Sequence, residues 1–295
     1  MNKNTEKLEE IQPDRVSDRL KEAEDALKNK KVKLPKDVFK RAEEGLRKIN
    51  EKLEKRLPIY ESDFDFIEEL KDAIKIAQQY NEAIKSLKGG DLYNPEKPIE
   101  GDKKAPTMEE AINTLQAKLT KEQKEVIDQM KNPVLLVKPI TTWKRFAENL
   151  NSAKKIGYNN RGSEWTENEK DAKITDKITG WEVGFVEGEL ELEGKPGAVG
   201  ELIAEWQIGH QSKKGAKLAT NNEYMLLVAR SIKKGTPIDK QSFSVLRGEG
   251  REEIIGKDGR VSSGARNGGA PDFGDYSPER RYAAARFRVA VMVKI

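Results

Sequence analysis

Apolar residues recur at steps of three and four along the first ninety positions, which is the period of a helix with one buried stripe. From Asp14 the stripe is Val16, Leu20, Ala23 and Leu27, with Pro13 at its start. Leu34-Pro35-Lys36-Asp37 opens a second helix with proline in the first turn, carrying Val38, Ala42, Leu46, Ile49 and Leu53 and ending at Leu57-Pro58. Ser62, followed by Asp63 and Asp65, is expected to cap a third helix whose apolar positions run from Phe66 and Ile67 to Leu87, closed by Gly89-Gly90. These stripes suit a helical hairpin, a small antiparallel bundle or a coiled-coil surface for a partner, so a monomeric bundle and a homo-oligomer built through the helices both stay open. Asp91 to Pro106 holds three prolines and few apolar residues, and reads as a linker that cannot join a core by itself. Thr107 then caps a helix through Met108, Ile112, Leu115 and Leu119, and Thr120 begins another turn with Val126, Ile127 and Met130.

The pattern changes at Asn132-Pro133. Val134-Leu135-Leu136-Val137 is a short continuous apolar run, read as a buried strand. Thr141 or Thr142 caps a helix with Trp143, Phe146, Ala147 and Leu150 inward, and Tyr158 to Lys173 reads as loop. Trp181, Val183 and Phe185 alternate as a strand face. The parity then switches to Leu190 and Leu192, which implies a turn or bulge at Gly188. Ala198 to Ile208 is expected as helix, and a further helix starts at Thr220-Asn221 with Tyr224, Leu227, Val228 and Ile232 on one side. Phe243 and Val245 form a strand, a glycine-rich polar loop follows around Val261 to Gly269, and Arg286 to Ile295 makes a closing strand with Phe287, Val289, Val291, Val293 and Ile295 on its core face. The fold class is α+β. An N-terminal all-α helical bundle or hairpin (residues 1–90), a linker (91–106) and a helical connector (107–131) precede a mixed, mostly antiparallel α+β domain (132–295).

Composition narrows the chemistry. The 55 basic and 51 acidic residues nearly balance, which suits solvated helix faces better than a nucleic-acid surface. Cysteine is absent, which removes disulfides, thiolate catalysis and cysteine-held metals. His210 is the only histidine and follows a predicted helix, where a dipole-capping role is the simpler reading. The glycine-rich stretches lack the Gly-Lys-Ser/Thr ending of a phosphate loop. No segment approaches bilayer length and the N-terminus is charged, so a cytoplasmic location is the default expectation, with a phage particle or cell surface as alternatives.

Two stretches resemble a known family. Lys217-Leu218-Ala219-Thr220-Asn221-Asn222-Glu223-Tyr224, followed by Val228-Ala229-Arg230, is similar to a segment of the formylglycine-generating-enzyme branch of the C-type-lectin fold. Val245-Leu246-Arg247-Gly248, Gly264-Ala265-Arg266-Asn267-Gly268-Gly269 and Arg286-Phe287-Arg288-Val289 look like that fold's arginine-and-glycine loop and closing strand. Ala219, Tyr224 and Arg286 stand where the family has proline, tryptophan and glycine, and the catalytic cysteine pair is missing. The resemblance therefore implies the non-enzymatic side of the family, such as the variable proteins of diversity-generating retroelements, in which a rigid frame presents a polar loop as the binding face.

On that expectation the ligand-binding candidates are Arg266, Asn267, Asp272, Phe273, Asp275, Tyr276, Arg280 and Tyr282, a mixture of adaptable hydrogen-bonding groups and aromatic anchors. The partner expected is a protein or a small ligand, with no cofactor. Asp272 and Asp275 are two oxygen donors of the kind calcium takes, but are read as a solvated pair, with no metal. Arg280, Arg281, Arg286 and Arg288 form a basic cluster that would suit phosphate or nucleic acid. The alternatives are a structural or assembly protein of a phage-like or envelope particle, and a nucleic-acid binder.

Overall fold

The structure is a computed structural model that describes residues 13–29, 32–89, 99–142, 144–146, 159–160, 174–188, 215–233, 243–247, 261–267, 270–276 and 285–295. The fold is α+β. Two compact units divide the chain: Met1–Gln79 with Thr107–Gln116, and Tyr80–Pro106 with Ala117–Ile295.

The first unit holds α1 (Pro13–Lys28), α2 (Lys36–Glu54), the first part of α3 (Glu61–Gly89) and most of α4 (Met108–Lys118). The helical stripes meet one another. Val16, Leu20, Ala23, Ala42, Leu46, Ile49, Ile59, Ile67, Leu70 and Ile74 form one buried cluster, so these apolar positions of α1, α2 and α3 pack against one another. Gly45 lets the Phe66 ring lie directly on α2, because a Cβ there would overlap the ring. The α2 end closes with Leu57 N–H donating to Lys52 O (2.8 Å) and Arg56 N–H to Leu53 O (3.1 Å), a Schellman pattern in which Arg56, at φ 50°, takes the left-handed position glycine usually fills. The cap of α3 is not Ser62. Its first turn closes where Asp63 Oδ2 accepts the Tyr60 N–H at 3.0 Å, and Lys52 Nζ holds both Asp63 oxygens at 2.7 Å. Thr107 caps α4 reciprocally with Glu110, as the Thr-x-x-Glu spacing requires.

The second unit contains α5 (Lys121–Gln129), α6 (Asn221–Lys233) and two sheets. Thr120 and Gln123 make a full capping box for α5. The first sheet has the order β1 (Pro133–Ile140), β3 (Gly180–Glu187), β9 (Val289–Lys294), β4 (Lys217–Leu218), all antiparallel. The second runs β2 (Asn159–Asn160), β7 (Ala270–Tyr276), β6 (Val261–Asn267), β5 (Phe243–Leu246), β8 (Ala285–Phe287), with parallel pairing at its two edges. Cross-strand rows Leu135–Phe185–Val291 and Val137–Val183–Val293 build the core face of the first sheet.

Three expectations are corrected here. The closing strand is two strands: the chain leaves the second sheet after Phe287 and enters the first at Val289, with Arg288 at the step. Both parities are buried there, since Arg288 and Ala290 are as enclosed as Phe287 and Val289. Helix α6 is not half-exposed either; every residue from Asn221 to Ser231 is buried, the environment of a central helix rather than a surface one. The described part of the segment read as a linker makes several contacts. Lys103 N–H donates to Ile178 O (3.0 Å), Trp181 Nε1 donates to Lys103 O (2.9 Å), and the Asp102 carboxylate takes a two-pronged contact from Arg145. Asn159 and Asn160, placed in a loop by the sequence, form an edge strand on β7. At Gly188, where a turn or bulge is expected, β3 ends in a bend whose N–H donates to Asn132 O (2.8 Å); Leu190 and Leu192, the helix over Ala198–Ile208 and His210 lie outside the described residues.

Candidate functional site

Six of the eight candidate residues lie on one β-hairpin. The expected glycine-rich loop is instead strand on both arms, because Val261–Asn267 and Ala270–Tyr276 pair antiparallel in continuous register. Asn267 stands opposite Ala270, Arg266 opposite Pro271, Asp272 opposite Ala265, Phe273 opposite Gly264, Asp275 opposite Ser262 and Tyr276 opposite Val261. Paired positions share a face of a sheet and successive positions take opposite faces. The six therefore separate by register into Asn267, Asp272 and Tyr276 on one face, and Arg266, Phe273 and Asp275 on the other. Arg280 and Tyr282 lie outside the described residues. Of the basic cluster, Arg288 is corrected. It is 1 % exposed, donates Nε to Ser244 Oγ (3.0 Å) and Nη1 to the carbonyls of Glu187 and Gly188 (3.0 Å each), and lies 5.9 Å from the Tyr224 ring centre. Its guanidinium fastens the step between the sheets and is not part of a surface for phosphate.

The second unit also contains a buried polar frame that sequence reasoning did not single out. Lys138 is the one charged residue of β1 and is 2 % exposed. Its Nζ lies 2.8 Å from Glu182 Oε2, directly across the strand pair, and 3.1 Å from Glu223 Oε1 in the first turn of α6. Glu223's other oxygen accepts the Thr220 N–H (2.8 Å), while Thr220 Oγ1 accepts the Glu223 N–H. Burial pushes the Glu182 carboxyl up. The Lys138 ammonium, through its charge and its hydrogen bond, with Lys217 and Lys294 adding, more than offsets this and holds it below the ordinary carboxylate value. Further along, Asn222 Nδ2 donates to Thr141 O (3.2 Å), and Thr141 Oγ1 donates to Asp176 O (3.1 Å). Thr142 Oγ1 both donates to Asp176 Oδ1 (2.7 Å) and caps the turn at Arg145. The hydrogen bond from Arg145 holds Asp102 below its usual range. Arg230 Nη1 covers the Leu135 carbonyl at 2.8 Å, and its Nη2 meets Glu82 at 3.1 Å. An ammonium clamped between two carboxylates and guanidiniums seated on carbonyls are fixings: they set where α6 and β1 stand rather than offer a free base or nucleophile.

Part of this frame has a sequence signal. Thr220-x-x-Glu223 is a capping box, and a lysine inside an apolar strand must find an acid. Which acid it finds is a tertiary fact. Asn221 Oδ1, Asn222 Oδ1 and Arg247 Nε are buried without a hydrogen-bond partner among the described residues. Among the described residues no three His, Cys, Asp or Glu side chains gather as a metal site, and no helix is long and apolar enough to cross a membrane. No protein-family model, curated protein or solved structure matches the chain.

Proposed function

We propose that this chain is a non-catalytic ligand-binding or display protein, in which a C-terminal unit like the C-type-lectin fold presents the β6–β7 hairpin as its binding face and the N-terminal helices make partner contacts. The observation that supports this most directly is the contrast within the second unit. Lys138, Glu182, Glu223, Arg230 and Arg288 are committed to pairs and carbonyls inside the frame, whereas six of the polar and aromatic candidates concentrate on a hairpin paired along its length through the backbone. A frame of that kind tolerates exchange at the hairpin without losing its fold, which is the requirement for display. The register sharpens the reading: one of the two triplets, Asn267, Asp272 and Tyr276 or Arg266, Phe273 and Asp275, faces the ligand, and the other packs.

Two triple-alanine variants, one for each face, test this. The expected result is one variant that melts cooperatively within a few degrees of the parent and one that is strongly destabilised. Sequencing of close relatives should then show variation concentrated at the positions of the tolerant face. If both variants unfold, or if relatives vary evenly along the chain, the hairpin is structural and the reading fails.

A further inference from the structure

In the first unit one large apolar side chain departs from the buried stripe of α2. The inward positions are Val38, Ala42, Leu46 and Ile49, all buried. Phe39, one position off that stripe, is 38 % exposed on a helix face otherwise made of charge. It borders an open groove of about 470 Å³ between α1 and α2, whose apolar wall is Phe39, Leu27 and Leu46. That volume is in the range of about 300–1,000 Å³ typical of binding clefts, enough for two or three side chains of a partner.

The groove's charge chooses the partner. Its two cations are already committed, Lys28 to Glu24 at 3.5 Å and Arg47 to Glu51. Glu43 and Glu54, also on the rim, are exposed and have no ion-pair or hydrogen-bond partner among the described residues. An apolar wall with a surplus of two carboxylates is complementary to apolar side chains flanked by lysine or arginine, and it repels acidic segments. Two helices side by side leave a furrow into which a third helix lays its apolar stripe. We propose that the α1–α2 groove docks a basic amphipathic helix of a partner protein, its apolar residues against Phe39 and Leu27 and its cations over Glu43 and Glu54. This rests on the part of the proposed function that gives the helices partner contacts, and not on the hairpin.

The test is selection from a displayed library of random sixteen-residue peptides on the full-length chain, followed by titration of the enriched peptides. Enriched sequences should carry apolar residues three and four apart together with lysine or arginine. Their affinity should drop at least tenfold with Phe39→Ser and at least tenfold with Glu43→Lys combined with Glu54→Lys, and should weaken with added salt. Both sets of substitutions fall on exposed side chains, and unchanged circular dichroism and melting would confirm the fold. The hairpin variant that melts like the parent should bind the same peptides as the parent, which separates failure of this proposal from failure of the display reading. Three results overturn it: no enrichment; enriched peptides without basic residues; or binding insensitive to both groove variants. Concentration-dependent self-association of the parent that Phe39→Ser abolishes would also overturn it, by assigning the groove to a second copy.

Discussion

Replacing Lys138 by methionine keeps the volume of the side chain and removes its charge, so it isolates what the ammonium does between Glu182 and Glu223. Both carboxylates would stay where they are: Glu223 is held by the Thr220 N–H and Glu182 by its place in β3. Removing one partner of a buried ion pair costs about 3–5 kcal/mol, because the remaining charge has lost its compensation. Glu182 keeps 19 % of its side-chain exposure, which places the expected loss near the lower end, on the order of 3 kcal/mol. No tryptophan falls in the first unit's stretches of sequence and Trp181 lies in β3 of the second, so urea unfolding followed by tryptophan fluorescence follows the second unit. The pH dependence is the sharper test. In the parent, the Glu182 carboxyl is held below its ordinary value of about 4.5. Its contribution is therefore present above that value and lost as pH falls through the lowered folded value. In Lys138→Met the attraction is gone and burial remains, so the folded value should rise above 4.5 and the sign reverses: the variant should regain stability as pH falls from 7 toward 5. The gap between the two proteins should narrow on acidification, and adding Glu182→Gln to the variant should close much of it at pH 7. A loss below about 1 kcal/mol, or a gap that is the same at pH 7 and pH 4.5, would refute the reasoning.

Other substitutions probe the backbone and the step between sheets. Arg56→Gly should stabilise the first unit by about 1 kcal/mol, the usual cost of a side chain in the left-handed position, measured by thermal melting followed by circular dichroism; a lower melting temperature would contradict the Schellman assignment. Gly45→Ala should destabilise the same unit by about 1–3 kcal/mol through overlap with the Phe66 ring, and Phe66→Leu in the same chain should recover part of that loss. Arg288→Met should cost the second unit on the order of 3 kcal/mol by leaving the Glu187 and Gly188 carbonyls without their donor, and Arg288→Lys should not rescue it, since one ammonium cannot reproduce the fork to both carbonyls and Ser244. Removing residues 288–295 deletes β9 from between β3 and β4 and should abolish the cooperative tryptophan transition; a truncated chain that still melts cooperatively would show that β9 is dispensable.

Periodicity carried the local elements. Helices α4, α5 and α6 begin at their threonine signals because each cap is made of residues three apart in sequence, α1 and α2 open at their prolines, and the strands at Val134, Trp181 and Phe243 follow from short apolar runs. The α+β class follows from their order. Pattern could not tell a glycine-rich loop from a hairpin at Val261 to Tyr276, because Gly264 and Gly274 suit either, and the pairing that decides is between positions up to fifteen apart. Alternation likewise reads Arg286 to Ile295 as one strand. Only the neighbours on each side show that the chain changes sheets at Arg288 and that both parities are buried there. The same holds for the charges. A sequence says that Lys138 is a lysine in an apolar strand, but burial and the arrival of Glu223 from a helix eighty-five residues later are long-range facts, set by which surfaces pack together. For the candidate site, the sequence supplied the residue types, and the tertiary register alone divided them between two faces of one hairpin.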